Sequence, residues 1–408
     1  MKIWVKLLAG IIVGIILAIA LGEEGAIVSL ESISMVVVHI GRYALFPLAL
    51  FGGIVAMYEL KREKDAKLIF GRIAIYLIAS SLLLAIIGTF STIILAPERV
   101  PIMIEEEIVY SIPSLHEVLL TIFPKNLFRV ILDSGDYLLP IFLFACILGL
   151  NLNFDRLATR PAIQLFDSLN RIFYNLNAFV LEIFALGIVP IAATFVLRLL
   201  HMQELELYRQ IILVLIIDTV AVVFIIYPIL IYLLAGKRNP YVWIYASLAT
   251  LLTAAATGDA YLALASQTRH GKENFGVPRR IGAVSLPIFT LFGKAGTAMV
   301  TAATFVLIVT SYSSLGISAG QTIWIMLFAF FASMAVGPYP GIGIIITLSI
   351  LSRGFASGYE EGYLILMPIV PLLMSFAVTI DALTASLATM LVARHSGVQA
   401  EIDRGDYA

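Results

Sequence analysis

Gly337-Pro338-Tyr339-Pro340-Gly341-Ile342-Gly343 interrupts an apolar run that otherwise extends over residues 321–351. Prolines lack an N–H and glycines weaken a helix, so this stretch frees backbone groups that hydrocarbon cannot satisfy. Such a break persists at membrane depth only against protein or a water-filled cavity. A second apolar run, residues 241–266, is broken by Thr257-Gly258-Asp259. Taken alone, each run reads either as a helical hairpin that enters and leaves on one side of a membrane or as a kinked spanning helix.

The surrounding composition makes a membrane the setting. Of the 408 residues, 61% are hydrophobic and 13% charged, and mean hydropathy is +1.00. Soluble domains carry about a quarter charged residues. A chain this apolar takes lipid as its solvent. Its net charge of −1 comes without a basic stripe, so nucleic acid is not an expected partner. The single cysteine, Cys146, lies in an apolar run and reads as a packed thiol; it can form neither an internal disulfide nor a cysteine metal cluster. The five histidines show no ligand spacing, and no intrinsic metal or other cofactor is expected. Near the N-terminus a basic start, an apolar run and Ala18-Ile19-Ala20 imitate a cleaved signal. The many spans that follow favour a retained first helix.

Roughly 20 apolar residues cross the hydrocarbon core as a helix. Residues 4–21, 35–58, 68–95, 127–152, 165–197, 211–235, 280–310 and 363–393 meet that length as eight candidate spans. With the broken runs treated as hairpins, eighteen of the 26 Lys and Arg residues fall on one side and six on the other; Arg42 and Lys294 lie within spans. The positive-inside rule then puts both termini in the cytoplasm of a multi-pass plasma-membrane protein. A full crossing by 241–266 would move the Arg269–Arg280 cluster outside and weaken that asymmetry. Re-entrance is therefore favoured for the first hairpin, and the second must return outside to leave Arg394 inside. Two broken elements facing opposite ways are the trace of an inverted-repeat transporter with its site at mid-membrane. Channels also use re-entrant loops, so a pore remains the alternative.

Several motifs carry a resemblance. Phe123-Pro124-Lys125-Asn126-Leu127-Phe128 and the stretch from Gly135 to Gly149 are similar to the fourth-span signature of the dicarboxylate/amino acid:cation symporter family, which includes the glutamate transporters. Phe275-Gly276-Val277 and Ser285-Leu286-Pro287 resemble its link into the seventh span. Gly296-Thr297-Ala298 resembles the end of its Asn-Met-Asp-Gly-Thr motif, Pro340-Gly341-Ile342-Gly343 its second hairpin tip, and Val392-Ala393-Arg394 its last span. The resemblance implies an all-α membrane protein with eight transmembrane helices, two opposed re-entrant hairpins and an elevator-type, glutamate-transporter-like fold. It implies a homotrimer with scaffold helices 1 and 2 in 1–67 and scaffold helices 4 and 5 in 123–205. Helix 3 and an external loop fill 68–122, and a transport core fills 206–408. A small polar solute, an amino acid or dicarboxylate, is the implied cargo, with sodium or a proton as coupling ion.

The departures bear on that chemistry. The serine-rich tip of the first hairpin is replaced by Ala254-Ala255-Ala256-Thr257-Gly258-Asp259-Ala260, and Asn-Met-Asp by Gly293-Lys294-Ala295. Residues 375–393 hold Asp381 as their only charge, so the arginine that reads an acidic side chain in the family is missing. Intramembrane charges are usually paired and often functional. Lys294 is expected to sit where the family holds a cation, neutralised by Asp381 or Asp259, which makes transport sodium-independent or proton-coupled. The expected substrate-binding set is Thr257, Gly258, Asp259, Thr297, Gly341, Ile342, Gly343 and Asp381, whose open backbone and half-helix N-termini suit a carboxylate. A structural Lys–Asp lock is the plainer reading. Arg42 with His39 either snorkels or meets lipid headgroups, or plays a structural part, and the structural reading is preferred. Asp218 and Glu182 read as proton relays or structural hydrogen-bonders, and Glu105-Glu106-Glu107 as a solvated run. No nucleophile elbow, P-loop, dinucleotide fingerprint or paired-carboxylate motif points to an enzyme. The competing functions are an anion-conducting channel and a solute sensor that has lost transport.

Overall fold

The structure, a computed structural model, describes the chain except residues 1, 23–24, 64–65, 102–119, 121–122, 124, 127–136, 203–204, 237–238, 314–315, 337–342, 403–406 and 408. Gly341, Ile342, the Glu105-Glu106-Glu107 run and half of the motif from Phe123 to Phe128 therefore lie outside the described residues. The described residues contain helices and no strand.

Among the described residues, eight helical stretches are long and apolar enough to cross a membrane. Seven correspond to expected spans. The eighth is Ala319–Val336, the first arm of the run broken at 337–343, while the expected fourth span is described only as the shorter helix Leu138–Asn151. Large apolar side chains such as Ile16, Ile19, Ile94, Leu186 and Phe224 point outward, as lipid-facing residues do.

The first helix, α1 (Ile3–Leu21), packs along α6 (Arg156–Leu200). At about 1.5 Å per residue, α6 is long enough to cross the hydrocarbon core twice over. Its start is set by Asp155, whose carboxylate accepts from Leu157 N and Ala158 N. The expected second span is two helices, α2 (Gly25–Arg42) and α3 (Leu45–Glu63), joined at Tyr43-Ala44. Pro47, in the first turn of α3, has no N–H with which to continue α2. The apolar run conceals this break, and it leaves Arg42 at a helix C-terminus. Next come α4 (Ala66–Leu95) and α5 (Leu138–Asn151).

The sixth span is α7 (Arg209–Ala221) and α8 (Tyr227–Leu234), joined by one wide turn at Val222–Ile226. Pro228 follows that turn, and the widened spacing accommodates its missing donor. The first broken run is α9 (Tyr241–Thr257) and α10 (Ala260–Glu273). Its arms lie antiparallel. Trp243 stacks on Phe275, Asn274 Nδ2 donates to Ala246 O at 2.8 Å, and Thr250 meets Ser266 nearer the turn. Gly258 turns the chain at φ +60°, a left-handed conformation that glycine adopts without strain.

The seventh span is also two helices, α11 (Arg279–Phe292) and α12 (Ala295–Tyr312), unwound at Gly293-Lys294. The second broken run gives α13 (Ala319–Val336) and α14 (Gly343–Phe355), where Trp324 near one foot packs edge-on against Phe355 at the other. A 3-10 segment, Gly362–Ile369, leads into α15 (Val370–His395). Helix α12 is the axis of this half. It is buried from Ala295 to Val309 and wrapped by α4, α13, α14 and α15. Gly88 lets α4 reach it, since a Cβ there would lie 2.1 Å from Met299 O.

Candidate functional site

Two helix breaks and the start of α14 meet at one cavity. It has a volume of about 460 Å³ and lies between α2 and α6 on one side and the turns of the C-terminal half on the other. Thr257, Gly258 and Asp259 line it from the α9–α10 turn, Lys294 and Thr297 from the α11–α12 break, and Gly343 from the start of α14. Asp381 stands one layer behind, where it shares a small void with Lys294 and Thr290. The described members of the expected site are thus brought together.

The ion-pair partner of Asp259 is Arg42 rather than Lys294. Asp259 Oδ1 accepts from the backbone N–H groups of Tyr261 (2.8 Å) and Leu262 (3.1 Å), which caps α10. Its Oδ2 is taken by the Arg42 guanidinium, through Nε at 2.9 Å and through Nη2. Arg42 also lies over the Tyr261 ring, 5.3 Å from its centroid. This agrees with the structural reading of Arg42 and sets aside the snorkelling and lipid-bound alternatives. The break before α3 ends α2 beside the α9–α10 turn, and a partly buried guanidinium takes the nearest carboxylate. Its place inside a span was the only sequence signal. Arg42→Met is expected to remove about 1–3 kcal/mol of stability, because Asp259 keeps its burial and loses its counter-charge. Asp259→Asn should lose less, since an amide oxygen still caps α10. Thermal unfolding of the purified variants checks this, and equal losses would contradict it.

Lys294 is the other cation of the cavity. It is 7% exposed, and its Nζ lies 4.0 Å from Asp381 Oδ2. That separation gives attraction without a hydrogen bond. Among the described residues no acceptor lies within hydrogen-bonding distance of its Nζ. Asp381 is already engaged: Oδ1 accepts from Gly296 N (2.6 Å) and Thr297 N (3.2 Å), and Oδ2 from Thr297 Oγ1 (2.7 Å). A carboxylate from α15 therefore occupies the N-terminus of α12. This corrects the expectation that open helix N-termini hold a solute carboxylate. At α10 and α12 the protein supplies its own, Asp259 and Asp381.

The remaining intramembrane acids stand apart from the cavity. Asp218 is buried and accepts from Ser91 Oγ at 2.7 Å, just before the wide turn of the sixth span. Glu182 joins Lys6 of α1 to Arg269 of α10, the latter at 3.0 Å. Thr257 is tied into its turn, donating to Thr253 O at 2.7 Å and accepting from Asp259 N at 3.2 Å. At the far end of the cavity Arg198 pairs with Glu31, and Ser34 with Thr194. Sequence reasoning passed over these four, which carry no motif and lie on helices distant in the chain.

A greasy helical bundle with broken helices meeting at a charged cavity is a polytopic membrane protein of transporter build. The chain belongs to the sodium:dicarboxylate symporter family, which it matches over residues 3–395. Its curated relatives include "Excitatory amino acid transporter 1" of Rattus norvegicus, 29% identical over 194 residues that cover 46% of this chain and 35% of that protein. "Putative sodium-dependent excitatory amino acid transporter glt-4" of Caenorhabditis elegans is 24% identical over 266 residues, 65% of this chain and 52% of that protein. A Caenorhabditis elegans "Excitatory amino acid transporter" is 23% identical over 219 residues, 54% of this chain and 43% of that protein. The matched segments span between about a third and a half of these relatives' lengths. Family and relatives are transporters, not enzymes.

Proposed function

We propose that this chain is a secondary active transporter for a small polar solute of the amino-acid or dicarboxylate type, in which Lys294 stands where the family holds a coupling cation. The observation that carries this is the Lys294 ammonium, buried at the α11–α12 break, in the cavity and 4.0 Å from Asp381. A fixed ammonium supplies the positive charge that a bound sodium ion would otherwise bring. Coupling is then to protons, or transport runs without a cation. The charge asymmetry of the loops favours cytoplasmic termini in a plasma membrane, α9–α10 and α13–α14 as opposed re-entrant hairpins, and the Glu31–Arg198 end of the cavity outside.

In this reading α1, α2, α3, α5 and α6 form the scaffold of a homotrimer. The core from residue 206 onward moves against it as an elevator together with α4. The cavity supports that division, because one wall comes from α2 and α6 and the other from the core. Proteoliposome flux tests the function. A transporter saturates and shows counterflow of labelled solute, and here uptake should persist when choline replaces sodium. Strict sodium dependence would remove the role of Lys294. Current without counterflow would make the protein a channel, and binding without flux a sensor.

A further inference from the structure

We propose that Asp218 is a proton-binding site, and that the proton it takes up is the coupling ion of transport. This rests on the transporter reading above and names the ion that accompanies the solute.

Three buried acids of the C-terminal half differ in what surrounds them. Asp259 receives two backbone N–H groups and the Arg42 guanidinium. Asp381 receives two backbone N–H groups and the Thr297 hydroxyl, with the Lys294 ammonium 4.0 Å away. Both have the donors and the counter-charge that an ionised carboxylate calls for. Asp218 is 3% exposed and lies within a span. Among the described residues its carboxyl meets one donor, Ser91 Oγ, 2.7 Å from Oδ2. The Thr219 hydroxyl next to it in the chain is buried and bonded to nothing among those residues. A carboxylate placed in this way takes a proton rather than staying a bare charge. The neutral acid also fits its neighbour. Its O–H donates to Ser91 Oγ, and the single hydrogen of that serine turns to Gly88 O, 3.2 Å away.

The elements packed against α7 bring no counter-charge. On α4, Lys67, Arg72 and Tyr76 lie in the half of the helix remote from Ser91. The 3-10 turn before α7 carries Glu206 and Tyr208, and Glu206 pairs with Arg209 at the start of α7. On α12 there is Tyr312 at the last position. On α15 there is Asp381, engaged as above, with Arg394 and His395 in the last turn. The wide turn Val222–Ile226 carries no titratable group. None of these side chains makes an ion pair or hydrogen bond with Asp218.

The position suits loading and carriage. Helix α4 ends and α7 begins on the side that the loop charges favour as external, and Asp218 lies about two to three turns in from Arg209. Ser91 and Asp218 both belong to the body proposed to move. The wide turn follows within one turn of the acid, and such turns are frequent at functional sites. A proton from external water binds the carboxylate, crosses with the core and leaves to internal water. One hydronium becomes water outside, and one forms inside.

The test uses the full chain in sodium-free proteoliposomes, with the membrane potential clamped at zero and labelled L-aspartate and succinate as probes. With one proton per solute, each unit of pH difference supports about a tenfold accumulation. The wild-type protein should accumulate a probe towards that ratio when the outside is acid. Asp218→Asn, which mimics the neutral acid away from the solute cavity, should keep counterflow and lose accumulation. Infrared spectra of the purified protein read the site without any solute. A protonated-carboxyl stretching band at neutral pH should be present in wild type and weaker in Asp218→Asn. Should Asp218→Asn fail to fold, Asp218→Ser takes its place in both assays. Accumulation that survives the substitution overturns the inference, as does an unchanged carboxyl band. Loss of counterflow together with accumulation makes Asp218 structural only and overturns it too. Wild-type counterflow that ignores the pH gradient sinks the inference and leaves the transporter reading intact. A band that depends on Asp218 without counterflow of either probe keeps the proton site, and sinks the transporter reading and the coupling role with it.

Discussion

Asp381→Ala is expected to be the most damaging single substitution in the core. Asp381 is 4% exposed and is both the N-terminal cap of α12 and the nearest counter-charge to Lys294. Its loss leaves two backbone N–H groups and a threonine hydroxyl without their acceptor, beside a buried ammonium with no balancing charge. Removing one partner of a buried ion pair typically costs about 3–5 kcal/mol. Asp381→Asn should fall between, because an amide oxygen still accepts from Gly296 and Thr297 while the charge is gone. The double variant Asp381→Ala/Lys294→Met should recover part of the loss, with a coupling of about 0.5–3 kcal/mol for neighbouring groups. Thermal unfolding in detergent measures all four proteins. An Asp381→Ala protein as stable as wild type, or a double variant worse than the sum of the singles, would contradict the proposed pairing.

The second large effect is expected at Gly296. A Cβ there would lie 2.3 Å from Ala377 O, 2.6 Å from Ile380 Cβ and 2.9 Å from Asp381 N. The first and third of these are backbone atoms of α15, which no side-chain rotation relieves. Gly296→Ala must therefore push α12 and α15 apart, and overpacking of this kind costs about 1–3 kcal/mol. The same displacement carries Asp381 away from the N–H groups it caps, so solute uptake should fall together with stability. Gly320→Ala is the matched control. Nothing lies within 4 Å of its Cβ position, and its unfolding midpoint should be unchanged. Equal midpoints for Gly296→Ala and wild type would show that the helix crossing is looser than these distances state.

Part of this was legible before any coordinates. The α9–α10 turn was marked by Thr257-Gly258-Asp259, because a glycine beside a short acidic residue is a local signal for a helix end and a new cap. Lys294 was marked because a charge inside an apolar run is rare. The breaks at Tyr43-Ala44 and Gly293-Lys294 were hidden inside runs whose average hydropathy stays high. A window of twenty residues does not register one proline or one glycine. Arg42 was visible for the same reason as Lys294, but its partner was not.

What the sequence by itself determined is what depends on neighbours along the chain: lipid as solvent, the position of seven apolar spans, and the break at Thr257-Gly258-Asp259. Transfer from water and helix propensity act residue by residue, and local windows read them. The tertiary structure alone decided which charge meets which. Arg42 and Asp259 are 217 residues apart, and Asp381 and Gly296 are 85 apart. Lys294 had two carboxylates to choose between on sequence grounds. Asp259 went to Arg42 because α2 ends beside the α9–α10 turn, and Asp381 came to Lys294 because glycine lets α12 and α15 cross closely. A direct ion pair needs donor and acceptor within about 4 Å, a distance that residues far apart in the chain reach only where their helices meet. Pairing therefore belongs to the helix crossings.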